Sequence, residues 1–156
     1  MEPRLNPFTS PTAGKLIKHL SAAGNAVTAS GVPVLTQELV KIRASQINGC
    51  AFCLDMHTKE AEATGETTQR LIMVGAWREA TVFTDAERAA LELAELGTRI
   101  ADGTGIPDDV WQNAAKYYDE EQLLGLVGLI ALINAFNRMN VLLQIPGGDY
   151  KVGQFA

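Results

Sequence analysis

The chain has 156 residues, enough for one domain that buries roughly 70 % of its unfolded surface. Hydrophobic residues make up 47 % of it and charged residues 20 %, a balance that argues against disorder. A net charge of -5 without any Lys/Arg cluster argues against nucleic acid or an anionic membrane as a partner.

The first residues, Met1 to Pro7, hold no apolar core of signal-peptide length, so a cytoplasmic protein is expected. Ser10-Pro11 reads as an N-cap followed by proline at the first helical position, opening a helix to about Ala29. Gly31 and Pro33 break it. A second helix is expected from about Val34 to Ile47, with Leu35, Leu39, Ile42 and Gln46 on one face. Asn48-Gly49 is a turn dipeptide, and a third helix starts at or near Cys50 and ends before Gly65.

A fourth helix is expected over about Thr68 to Trp77. Thr84 and Glu87 form a capping box that opens a fifth, to about Ala101. Pro107 starts a sixth, ending near Tyr118, and Asp119 with Gln122 repeats the box for a seventh that runs to about Gln144. The longest apolar stretch, Leu123 to Ile133, is too short for a membrane span, which needs about twenty residues, and reads as a buried helix. The apolar richness of that last helix exceeds what one face of a monomer needs, which favours a homo-oligomer. The fold class is therefore all-α, about seven helices in one domain, with no sign of a repeat.

Cys50 and Cys53 are the only cysteines. Two thiols three residues apart can close a disulfide across one helical turn, and a CxxC pair in a reducing compartment reads as redox-active or metal-binding, not as a structural framework. On a helix, Cys50, Cys53, Leu54, His57 and Ala61 share an arc of about 100°. His57 is four residues from Cys53 and is its neighbour; it is about 10 Å along the axis from Cys50. The histidine therefore favours Cys53 as the reactive thiol. The helix N-terminus favours a thiolate on Cys50, as in thioredoxin-like sites where the first cysteine attacks.

Glu38 lies about 80° from the centre of the second helix's apolar stripe, at the edge of the buried face. Antiparallel packing across the Asn48-Gly49 turn brings it towards His57. Partial burial would raise its pKa and suit it to proton transfer. Ser45 and Gln46, nearer the turn, can hydrogen-bond the same site. Asn134, Asn137 and Arg138 interrupt an apolar helix and fit either the site or a helix or subunit contact. Trp77, Phe83, Trp111, Tyr117 and Tyr118 read as core or interface residues, and His19 as a surface residue. The rival readings of the pair are two buried small hydrophobes, or a zinc site of two thiolates with His57 and Glu38.

Glu38 followed after eleven residues by Cys50-x-x-Cys53-x-x-x-His57, with the flanking text Glu38 to Gly49 and the later block Ile133 to Arg138, resembles the alkylhydroperoxidase D-like proteins of the carboxymuconolactone decarboxylase superfamily. The resemblance spans about residues 15 to 145. It implies an all-helical peroxidase, a trimer or hexamer, needing no cofactor or metal. Cys53 would attack a hydroperoxide, Cys50 would resolve the sulfenic acid to a disulfide, and Glu38 and His57 would relay protons. A dithiol reductant, lipoyl or thioredoxin-like, would complete the cycle. Founding members carry a second histidine just before the second cysteine, where this chain has Phe52. Superfamily members that act as decarboxylases usually lack the CxxC, which argues against that activity. A non-catalytic redox sensor, switched by the disulfide, is the alternative.

Overall fold

The computed structural model describes residues 2–103 and 105–155; Met1, Thr104 and Ala156, which the one-domain expectation includes, lie outside them. Among the described residues the regular elements are α1 (Pro11–Thr28), α2 (Val34–Asn48), α3 (Ala51–Ala63), α4 (Thr68–Met73), α5 (Asp85–Thr98), α6 (Asp108–Ala114) and α7 (Glu120–Leu143), with short 3-10 turns and no strand. The caps foreseen in the sequence are made. Ser10 accepts the Ala13 amide at the start of α1, and Thr84 with Glu87 and Asp119 with Gln122 close reciprocal boxes on α5 and α7.

Three helix ends fall earlier than expected. α4 stops at Met73 and tightens into a 3-10 turn over Val74–Ala76, where Gly75 weakens the helix. α5 ends at Thr98 before a second 3-10 turn. α6 ends at Ala114, and Tyr118 turns inward to donate its hydroxyl to the Ala86 carbonyl at 2.7 Å.

α2 is the central element, packed against α3, α5 and α7. Leu39 and Ile42 join Leu71, Val74, Trp77 and Leu91 on one side, and Val40 joins Leu93, Leu126 and Ile130 on the other. Each such side chain, fully buried, contributes about 1.5–3 kcal/mol. Leu35 and Gln46 are only half-buried. The single apolar face expected of α2 is thus corrected to a helix wrapped on most sides, and this carries Glu38 into the interior rather than to an edge.

α7 is 24 residues long and by length and composition alone could cross a membrane. Here it is a core helix burying Leu123, Leu126, Leu129, Ile130 and Ile133, while Leu124, Val127 and Leu142 remain exposed. Trp77, Phe83 and Tyr118 are buried, whereas Trp111 and Tyr117 are exposed, as is His19.

Candidate active site

Gly49 adopts φ 67° and ends α2 as a left-handed cap, a conformation glycine takes without a Cβ penalty. The chain reverses there, and the Cys50 amide donates back to the Ser45 carbonyl at 3.0 Å. Cys50 thereby becomes the N-cap of α3, with its Sγ accepting the Cys53 amide at 3.3 Å. The two cysteines are joined as a disulfide and each is only 1 % exposed.

Glu38 and His57 meet as the antiparallel pairing requires. Glu38 Oε2 lies 2.9 Å from His57 Nδ1, and both residues are buried. This hydrogen bond occupies Nδ1, and His57 is one turn along α3 from Cys53. The other carboxylate oxygen, Oε1, accepts from Lys41 Nζ at 2.7 Å. Burial alone would push the Glu38 carboxyl up, but the hydrogen bond and charge of His57, with Lys41 behind it, hold it below the ordinary value. The raised pKa expected for Glu38 is therefore reversed. The carboxylate stays ionised near neutral pH, suited to orienting His57 and stabilising its imidazolium, as the carboxylate of a catalytic triad does.

The polar residues of α7 line one stripe. Asn48 Nδ2 donates to Oδ1 of both Asn134 and Asn137 at 2.9 Å, and Asn137 Nδ2 donates to Ser45 Oγ at 3.0 Å. Asn134 also donates to Thr98 Oγ1, and Arg138 folds back onto Asn134. These contacts pin the turn from which α3 starts, so Ser45 acts on that turn through Asn137. Gln46 instead accepts from Arg43. Asn140 continues the stripe, its Nδ2 donating to Cys53 Sγ at 3.3 Å. Sequence reasoning missed Asn140 and Lys41, although both were signalled by helical spacing: Asn140 is three residues beyond Asn137, and Lys41 three beyond Glu38.

A cavity of about 460 Å³ opens beside Cys50, walled by Ala51, Asn140, Gln144, Pro146 and Gly147. The last two belong to a C-terminal strap over residues 145–155 that lies along α3. Asp55 Oδ2 accepts the Gly148 and Tyr150 amides at 2.7 and 2.9 Å, and Lys59 Nζ donates to the Tyr150 carbonyl. Glu60 Oε1 accepts the Tyr150 hydroxyl and the Gly153 amide. Burial would raise the Asp55 carboxyl, but Lys59 and the strap amides hold it low; burial and Glu60 push the Tyr150 phenol up to about 12. Phe52 stacks edge-on to Tyr150, with ring centroids 6.4 Å apart, and packs on Phe155. The side chain between the cysteines thus seats the strap. A second depression, among Trp77, Arg78, Arg88 and Tyr117, holds neither thiol. Among the described residues, no three His, Cys, Asp or Glu side chains gather closely enough to hold a metal ion.

A model of the carboxymuconolactone decarboxylase family matches residues 11–96. The uncharacterized protein YdfG of Bacillus subtilis is 46 % identical over 112 residues, which are 72 % of this chain and 76 % of YdfG. A crystal structure of a protein of unknown function from Agrobacterium tumefaciens, provisionally called an antioxidant defence protein AhpD, superposes with a TM-score of 0.87 at 34 % identity, covering 96 % of this chain and all of that one. The debrominase Bmp8, in complex with 2,3,4-tribromopyrrole, shares the fold with a TM-score of 0.73 at 20 % identity, over 84 % of this chain and 70 % of its own.

Proposed function

The chain belongs to the carboxymuconolactone decarboxylase family, and from that premise we propose that it is a CxxC-dependent thiol peroxidase of the alkylhydroperoxidase D-like kind. The observation that carries this reading is the hydrogen-bonded chain Lys41–Glu38–His57 ending one helical turn from Cys53, with Cys50 already within bonding distance. A base held by an ionised carboxylate beside a thiol is the general arrangement for activating a nucleophile.

In the proposed cycle the Cys53 thiolate attacks the distal oxygen of a hydroperoxide. The O–O bond breaks, the alcohol leaves with a proton from His57, and Cys53 becomes a sulfenic acid. The Cys50 sulfur then attacks the Cys53 sulfur, the S–S bond forms and water leaves. A dithiol reductant, lipoyl or thioredoxin-like, returns both thiols and is itself oxidised to a disulfide. Glu38 stays ionised throughout and holds the orientation and tautomer of His57. The chemistry needs no cofactor or metal, since the cysteines carry the electrons.

Exposed Leu124, Val127 and Leu142 on α7, and an α1 with no fully buried residue, support a homo-oligomer, for which the family resemblance implies a trimer or hexamer, and a cytoplasmic setting suits a thiol pair cycled by a dithiol. Phe52 favours a second reading, a redox sensor: at this position the side chain carries no proton and is committed to the strap. Titrating the reduced protein with a hydroperoxide, read by free thiols, tests the common core of both. Two thiols should be lost per peroxide consumed; unchanged thiols would refute both.

A further inference from the structure

The two sulfurs of the disulfide stand in different surroundings. Cys50 borders the cavity, between Ala51, Asn140 and the strap residues Pro146 and Gly147. Cys53 is not among the residues lining that cavity, and its Sγ accepts the side-chain amide of Asn140 at 3.3 Å. Asn140 is held in place from behind. Its own carbonyl accepts the Ile145 amide at 2.9 Å, where Gln144, at φ 56°, turns the chain out of α7.

Resting on the thiol reading of the pair, we propose that Asn140 is a catalytic residue that holds the Cys53 sulfur as a leaving thiolate. Reduction of the disulfide then runs in one direction, with an incoming thiolate entering through the cavity to strike Cys50. A thiolate attacks in line with the bond it breaks, so an attacker arriving at Cys50 expels Cys53. The new bond joins the reductant sulfur to Cys50, the old S–S bond breaks, and its electron pair goes to Cys53. There the Asn140 N–H is pre-aimed at the developing charge, and His57, one turn away, supplies the proton. The second thiol of a dithiol reductant then attacks the mixed disulfide, leaving Cys50 reduced and the reductant as a disulfide. The same amide serves the opposite half of the cycle, where the Cys53 thiolate is the nucleophile.

The test uses no peroxide, so it fails or succeeds independently of peroxidase activity. The oxidised full-length chain is exposed to excess glutathione, quenched in acid and mapped by peptide mass; glutathione should be found on Cys50. Glutathione on Cys53 overturns the direction. In a Cys50→Ser background, the pH profile of Cys53 alkylation reads the role of Asn140. Asn140→Leu should move its midpoint up by about one pH unit, about tenfold in rate at neutral pH, through loss of a charge-assisted hydrogen bond. Asn140→Asp fills the same space but brings a negative charge, and should move the midpoint further. A packing role would leave the Asp variant where the parent lies. An unmoved midpoint in either variant overturns the assignment.

Discussion

Glu38 Oε2 and His57 Nδ1 lie 2.9 Å apart although they are nineteen positions apart in the chain, with the disulfide in the segment between. The pair depends on α2 being buried on most sides. At a solvated helix edge, water would compete for both groups. Replacing His57 by alanine should therefore slow alkylation of Cys53 and lower peroxide-dependent oxidation by about a hundredfold, the usual worth of a positioned acid–base group. Stopped-flow thiol oxidation checks this, and an unchanged pH–rate profile would remove His57 from the mechanism.

The Glu38 carboxyl also sets a pH dependence of stability. Its folded pKa lies below the unfolded value of 4.5, so it stabilises the fold above that value, and the contribution is lost as pH falls through the folded pKa. The stability difference between wild type and Glu38→Gln in urea should therefore shrink as pH falls below 4.5 and through the lower folded pKa. Asp55 and Glu95 are also held low, so the variant keeps part of its acid sensitivity.

Asn137 ties Ser45 and Asn48 to α7 from a position that is fully buried. Asn137→Ala leaves those two partners short of a hydrogen bond inside the protein and should cost roughly 1–3 kcal/mol in urea unfolding. A loss within error would mean that water replaces the side chain and that the turn before Cys50 needs no support from α7.

The strap gives a third structural test. A Cβ on Gly147 would fall 2.4 Å from the Ala51 carbonyl oxygen, so only glycine lets the strap lie against the first turn of α3. Gly147→Ala should displace the strap, cost about 1–3 kcal/mol and quicken the reaction of Cys50 with bulky disulfides several-fold. Equal rates for a bulky and a small reagent before and after the change would show that the strap does not wall the route to Cys50.

Much of this was legible in the sequence because it rests on local chemistry. Caps at Ser10, Thr84 and Asp119 and the turn at Asn48-Gly49 are decided by residues within one turn, and the Cys53–His57 spacing is a property of a single helix. What the sequence hid is tertiary. The wrapping of α2, and with it the lowered pKa of Glu38, depends on α3, α5 and α7 arriving from far along the chain. The spacing from Asn137 put Asn140 on the polar stripe of α7, but its contact with Cys53, eighty-seven positions away, depends on how α7 packs against α3. The strap lacks periodicity, so its aromatic seat on Phe52 left no pattern to read.

Hydroperoxide consumption driven by a dithiol, compared among wild type, Cys53→Ser and Cys50→Ser, separates a peroxidase from a sensor and one thiol's role from the other's. Wild type should turn over many equivalents and Cys53→Ser none, and Cys50→Ser, given peroxide without the dithiol, should consume a single equivalent and stop as a sulfenic acid trappable on Cys53. A wild type that oxidises once and stops would make the protein a sensor instead of an enzyme. Turnover retained in Cys53→Ser would exchange the roles of the two thiols.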